Sequence, residues 1–223
     1  MLSMHHVYYS YHKHKKTSNV IIDMSADFEP GKVYAIYGPS GAGKTTCLSL
    51  LGGLESPTSG SILLDGKNIK EIGYSNLRKH EVSYVFQDYH LFPYMTSIEN
   101  VQLAASISSV PKQAQQEEII PLLHLLGIDD ATMHRKVSEI SGGQQQRIAL
   151  ARALISKPTY LLADEPTGNL DADNAVHVTD LLIQLAHEQR KAVIIATHAE
   201  AVRNRADVRL EIVDGAFRQV DAV

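Results

Sequence analysis

The sequence predicts an α/β fold, a parallel-sheet core that carries an antiparallel β subdomain and an inserted helical subdomain. Three observations lead there. Val33-Tyr34-Ala35-Ile36-Tyr37, Tyr160-Leu161-Leu162-Ala163 and Ala192-Val193-Ile194-Ile195-Ala196 are continuous apolar runs, the pattern of strands buried on both faces of a parallel sheet. Helical spacing separates them: Cys47, Leu50, Leu51 and Leu54 share one face after the first run, and Val178, Leu181, Leu182, Leu185 and Ala186 share one before the third. Strand, helix and strand in that order imply crossover units. Residues from about 90 to 157 are mainly helical in pattern and hold no buried-strand run, which marks them as an insert.

The remaining elements follow from local signals. Residues 1–30 and 57–72 read as antiparallel strands, with turn chemistry at Pro57-Thr58-Ser59-Gly60 and Asp65-Gly66. Pro121 interrupts the apolar pattern Ile119-Ile120-Leu122-Leu123-Leu125-Leu126, so a helix there kinks or restarts. The tail, Leu210-Glu211-Ile212-Val213, then Asp214-Gly215, then Ala216-Phe217-Arg218, reads as a closing hairpin. His12-Lys13-His14-Lys15-Lys16 reads as a solvated β-turn rather than a metal or lipid-headgroup site.

Composition narrows the class. A chain of 223 residues suffices for one sizeable domain. A net charge of -4 excludes a broad electrostatic grip on nucleic acid. The single cysteine, Cys47, excludes an internal disulfide and fits a reducing compartment. No apolar run approaches the roughly 20 residues that span a bilayer. Met1-Leu2-Ser3-Met4-His5-His6 lacks the basic-then-apolar order of a secretion signal. The expected location is the cytosol, with membrane contact only through a partner.

Gly38-Pro39-Ser40-Gly41-Ala42-Gly43-Lys44-Thr45 matches the eight-residue P-loop pattern in full and sits between a buried strand and an amphipathic helix. Glycines let successive N–H groups turn toward phosphate oxygens, and the following helix offers them its positive end. Lys44 can charge-pair with the β- and γ-phosphates of ATP; the Thr45 hydroxyl suits Mg²⁺, and Thr46 extends the phosphate-binding set. Tyr160-Leu161-Leu162-Ala163-Asp164-Glu165-Pro166 ends an apolar strand in two acids. Asp164 can orient the magnesium shell, because ligands of parallel sheets bind off the strands' C-terminal edge. Glu165 can accept a proton from an attacking water.

Ser141-Gly142-Gly143-Gln144-Gln145 adds a second anion site. Ser141 and Gln144 have capping-box spacing, so a helix begins at the glycines and presents bare amides beside a hydroxyl. It lies far beyond Lys44, inside the helical insert. The economical reading is that it closes on ATP held by another copy of the chain.

At these residues the sequence resembles the ABC ATPase family, over nearly its whole length. The resemblance implies the ABC ATPase fold, a P-loop NTPase core with the two subdomains described. It implies one ATPase domain over 1–223, with 1–89 and 158–223 as nucleotide-binding core and β subdomain and 90–157 as helical subdomain. Tyr11 looks like the adenine-stacking aromatic. Gln87, in Val85-Phe86-Gln87-Asp88, is similar to the glutamine that touches Mg²⁺ and hinges the insert. Asn169-Leu170-Asp171 looks like the D-loop, with Asp171 at the nucleotide interface. His198 resembles the histidine that senses the γ-phosphate. Ile140 stands where leucine is commoner before the signature, and Ala199 where aspartate is more frequent after the histidine. The resemblance implies an ATPase that needs ATP and Mg²⁺, pairs with a second copy, and drives a separate ABC permease on the cytosolic face of the membrane.

The run from Ala163 to Asp171, with Gly52-Gly53-Leu54 and Pro57-Thr58-Ser59-Gly60, resembles a subgroup. It includes ATPases of lipoprotein release, macrolide or antimicrobial-peptide efflux and a cell-division complex. Export or extraction is the expectation, and a regulatory ATPase of the cell-division type, transporting nothing, is the alternative. Soluble relatives acting on DNA or ribosomes usually need a long coiled-coil insertion or a second ATPase domain. This sequence shows neither.

Overall fold

The structure, a computed structural model, describes residues 1–13, 16–108 and 110–220. In chain order the elements begin β1 (Leu2–Lys13), β2 (Lys16–Phe28), β3 (Val33–Tyr37), α1 (Lys44–Leu51), β4 (Ser59–Leu64), β5 (Lys67–Asn68), α2 (Ile69–Ile72), α3 (Tyr74–His80) and β6 (Val82–Val85). They continue α4 (Ser97–Ile107), α5 (Lys112–Leu125), α6 (Asp130–Met133), a 3-10 turn at Val137–Glu139, α7 (Gly142–Leu154) and β7 (Tyr160–Asp164). The chain closes with α8 (Ala172–His187), β8 (Ala192–Ala196), α9 (Glu200–Arg203), β9 (Val208–Val213) and β10 (Ala216–Val220).

The apolar runs become neighbours in one sheet of order β10-β9-β3-β8-β7-β6. Every pairing in it is parallel except β9 with β10. Their lack of alternation has a direct cause: both faces are covered. Val33, Ala35, Leu161, Ala163, Val193 and Ile195 face one core with Ile148 of α7 and Leu182 of α8. Tyr34, Ile36, Leu162 and Ile194 face a second, with Leu48 and Leu51 of α1 and Leu2, Met4 and Phe28 of the antiparallel sheet β2-β1-β4-β5. Each leucine taken fully out of water contributes roughly 1.5–3 kcal/mol.

Four expectations need adjusting. Residues 69–72, read with 57–72 as antiparallel strand, form the short helix α2, because the Asn68 side chain caps it by accepting the Lys70 amide at 3.0 Å. Leu54 does not share the buried face of α1; it is 44% exposed. The helix ends before it, because Gly53 takes a left-handed φ of 61° and the amides of Gly53 and Leu54 return to the carbonyls of Leu50 and Ser49 at 3.1 and 2.8 Å, a Schellman stop. Helix α5 runs through Pro121 without stopping or restarting. Pro121 and Glu117, whose carbonyl the missing N–H would have met, lie on the exposed side where water can serve instead. Strand β6 had no counterpart in the sequence reading. Its burial is broken at Ser83 and Tyr84, so it lacks the continuous apolar signature of its neighbours.

The tail forms the expected hairpin through Asp214 and Gly215, both left-handed. Of the basic run at the β1–β2 turn, His14 and Lys15 lie outside the described residues; Lys13 pairs with Lys16 across it.

Candidate functional site

Four adjacent strands, β3, β8, β7 and β6, end in parallel on one edge of the sheet. Their C-terminal ends deliver the P-loop, His198, Glu165 and Gln87 in that order, as open α/β sheets place their ligand crevices. A cleft of about 520 Å³ opens there, lined by Ser40, Gly41, Gly43, Lys44, Thr45, Gln87, Asp164, Glu165, Gly168 and His198.

Gly43 begins α1 at a left-handed φ of 102°. A Cβ there would come within 2.9 Å of Val20, so only glycine lets the loop pass under β2. No side chain caps α1, which leaves first-turn amides for a ligand. The Lys44 ammonium is buried and donates to the carbonyls of Gly38 and Pro39 at 3.1 and 3.2 Å. It also stands 2.9 Å from His198 Nε2. A lysine ammonium can only donate, so in this contact the ring nitrogen is the acceptor. Burial lowers the Lys44 pKa, against the charges of Glu165 and Asp164, which raise it.

Glu165 adopts a left-handed φ of 45°, unusual for a side-chain-bearing residue. Its N–H is tied to the Ala196 carbonyl at 2.9 Å and its carbonyl to the Gly168 amide at 3.0 Å, so the turn after β7 is pinned on both sides. One carboxylate oxygen, Oε2, accepts the His198 N–H at 3.2 Å. The other, Oε1, is buried with no hydrogen-bond partner among the protein atoms and lies 3.6 Å from His198 Nε2. A buried carboxylate oxygen without a protein partner, on a residue that lines the cleft, has unused capacity to accept a hydrogen bond.

Asp164 is buried, and burial pushes its carboxyl above the usual carboxylate range; the Thr45 hydroxyl, the Lys44 charge and the Tyr84 hydroxyl draw it back down. A raised carboxyl pKa means that the fold holds the neutral acid better than the unfolded chain does. That contribution to stability is complete below the unfolded pKa and is lost as pH rises through the folded one. Asp164→Asn is therefore expected to melt higher than the parent at pH 7.5 without nucleotide, by about 2–4 °C for each kcal/mol relieved. The gap should close toward pH ~4, as thermal melts across that range would show.

Tyr11 stands apart from the cleft lining. It is exposed, meets Tyr9 edge-on at 4.9 Å, and its hydroxyl lies 3.2 Å from that of Thr46. The start of α7 is also elsewhere. Ser141 and Gln144 form the expected reciprocal capping box, but neither they nor the glycines between them line the cleft. Instead Gly143 faces Asn174 of α8, whose side chain a Cβ would approach to 3.1 Å. Asp171 caps α8 and holds Asn174 through its amide at 3.0 Å and its side chain at 2.7 Å.

Sequence reasoning missed two residues that organise this region. Arg152 of α7 donates to the carbonyls of Tyr89, at 2.6 Å, and His90, just beyond Gln87. Tyr84 faces Asp164. Neither stands in a recognisable motif, and Tyr84 sits on the strand that the sequence did not reveal.

A family model described as "ABC transporter" matches residues 21–168. Among curated proteins, the chain is 41% identical over 202 residues to the uncharacterized ABC transporter ATP-binding protein YclH of Bacillus subtilis (strain 168), covering 91% of this chain and 89% of that protein. It is 37% identical over 220 residues to the lipoprotein-releasing system ATP-binding protein LolD of Legionella pneumophila (strain Lens), covering 97% and 96%. Among solved structures it resembles the dimeric structure of MJ0796, a bacterial ABC transporter cassette, with a TM-score of 0.92 and 28% identity over 100% of this chain and 99% of that one. A post-hydrolysis state of the same cassette, bound to ADP and Pi, matches equally. The chain belongs to the ABC transporter family, as one of its ATP-binding and ATP-hydrolysing subunits.

Proposed function

We propose that two copies of this chain face each other head to tail, each ATP held between the P-loop of one and Ser141 to Gln145 of the other. The pair then drives a separate membrane permease of the export or extraction type from the cytosolic side. The observation that carries this reading is the separation of two anion-binding helix starts: α1 opens the cleft, while α7 presents its capped N-terminus away from it. A site that does not reach its own nucleotide has use for a neighbour's. The dimeric cassette among the structural relatives supports the pairing. Relatives named for lipoprotein release support extraction.

Within the cleft, the Lys44 ammonium would leave the Gly38 and Pro39 carbonyls and His198 for the β- and γ-phosphates. Glu165 Oε1, already desolvated and unpaired, would take a proton from the water that attacks the γ-phosphorus as the bond to the β–γ bridging oxygen breaks. His198 holds Oε2 through its backbone amide and keeps the carboxylate aimed. Tyr11 would stack on the adenine, and Asp171 would sit at the join between copies. Thr45, Gln87 and Asp164 offer a hydroxyl, an amide and a carboxylate in one cleft, hard oxygen donors of the kind magnesium takes alongside phosphates. No cluster of three or more acidic, histidine or cysteine residues among the described residues could hold a metal alone, which fits an ion that arrives with its nucleotide. Bound there, Mg²⁺ would neutralise developing phosphate charge.

No described helix is long and apolar enough to cross a membrane. A groove of about 340 Å³ between the core and the helical insert, walled by Leu54, Phe86, Phe92 and Ile107 among others, exposes apolar side chains. Such a groove suits a partner's segment. With hydrolysis blocked by Glu165→Gln, saturating Mg²⁺ and ATP should convert the chain to a dimer in light scattering. A species that stays monomeric at every concentration, alone and with its permease, would overturn the sandwich.

A further inference from the structure

The loop that carries His198 is held by β3 on both sides, and the second hold belongs to no motif in the sequence. Before the histidine, the Thr197 amide donates to the Ile36 carbonyl at 3.0 Å. Thr197 is fully buried, and its hydroxyl accepts the Ala199 amide at 2.9 Å. After the histidine the chain turns into α9, where the Arg203 guanidinium lies over the Tyr37 ring, 4.8 Å from its centroid. Tyr37 is the last residue of β3 and the last before the P-loop.

The two-residue period of β3 puts Tyr37 on the face with Val33 and Ala35. Val202 of α9 is buried in the core on that face, and the next side chain, Arg203, reaches the ring. Among the described residues Arg203 Nε, which is buried, has no hydrogen-bond partner; the electron-rich face of the phenol is what meets this cation.

A helix of four residues does not hold itself in place, because nucleating a turn costs more than one turn returns. Helix α9 also starts on Ala199, whose methyl cannot accept an N–H, and no side chain caps it. Its position therefore rests on what it grips, Val202 in the core and Arg203 on Tyr37. His198 stands two residues before it. The contacts of His198 depend on where that helix sits: Nε2 is 2.9 Å from the Lys44 ammonium, and the amide donates to Glu165 Oε2 at 3.2 Å.

We propose that Arg203 and Tyr37 are a positioning pair for His198, a cation–π clasp that fixes the histidine's loop against the strand leading into the P-loop. The proposal rests on the reading of His198 as the group that meets the γ-phosphate.

Arg203→Met removes the charge and keeps most of the length. The test is the affinity of the full chain, with Mg²⁺, for a fluorescent non-hydrolysable ATP analogue and for the matching ADP derivative. These differ by the γ-phosphate, so a displaced His198 lowers the preference for the triphosphate and spares the diphosphate. Arg203→Met should cut that preference ~3–5-fold, with diphosphate affinity within about two-fold of the parent. Tyr37→Leu should do the same, while Tyr37→Phe, which keeps the aromatic face, should match the parent. The two losses should not add, because they remove one contact. Ala199 already has the extended backbone of an N-cap, so adding Ala199→Ser to Arg203→Met should return part of the lost preference by anchoring α9 another way. An unchanged preference in Arg203→Met overturns the proposal. So does an equal loss of both affinities, which would mark a general disturbance of the P-loop. If His198→Ala keeps the parent's preference, the γ-phosphate reading of His198 falls first and the role of the clasp with it.

Discussion

Glu165→Gln is expected to bind ATP about as tightly as the parent while steady-state hydrolysis falls by ~10²–10⁴-fold, the usual worth of a positioned general base. The amide is nearly isosteric and can still accept the His198 N–H at the position of Oε2. What it loses is the capacity of Oε1 to take a proton, and Oε1 is the buried atom without a protein partner. Burial without a partner is unfavourable for a carboxylate, and the left-handed turn at Glu165 adds backbone strain. Both are tolerable if the residue is needed there for chemistry. Phosphate release from a single turnover would settle the matter, and turnover within a few-fold of the parent would remove Glu165 from its role.

Lys44→Ala should weaken nucleotide binding by ~10²-fold or more, since charge-assisted bonds to the β- and γ-phosphates are worth about 1.5–3 kcal/mol each. Stability should respond differently. The ammonium is already desolvated and held by backbone carbonyls and the His198 ring nitrogen, so its removal relieves a buried charge even as it breaks those bonds. Isothermal titration with ATP and a thermal melt without it, run on the same preparation, should show lost binding beside a nearly unchanged midpoint. A collapse of both would recast Lys44 as a structural residue.

The sheet was legible in the sequence wherever burial was two-sided. The runs that became β3, β7 and β8 announced themselves because neither face could be polar. Strand β6 did not, because Ser83 and Tyr84 are only half-buried at the sheet's edge. Chemistry concentrated in contiguous motifs was equally visible: the P-loop, the acids at the end of β7 and His198 converge on one cleft. Contacts assembled by topology were invisible in one dimension. Nothing in Val82-Ser83-Tyr84-Val85 hints at Asp164, and nothing local says that Arg152 reaches back 63 positions to the Tyr89 carbonyl. Leu54 fell on the predicted helix face only because periodicity ignores where a glycine pair stops a helix.

That reach of Arg152 has a mechanical meaning. Tyr89 and His90 are consecutive left-handed residues, with φ of 60° and 47°, and the half-buried guanidinium of Arg152 in α7 donates to both carbonyls. The same helix begins at Ser141. A joint fastened in this way is built as a lever arm rather than a slack tether, with the strand-end segment beside Gln87 tied to α7. A tilt of that helix would have to break these bonds or take the strand-end segment with it.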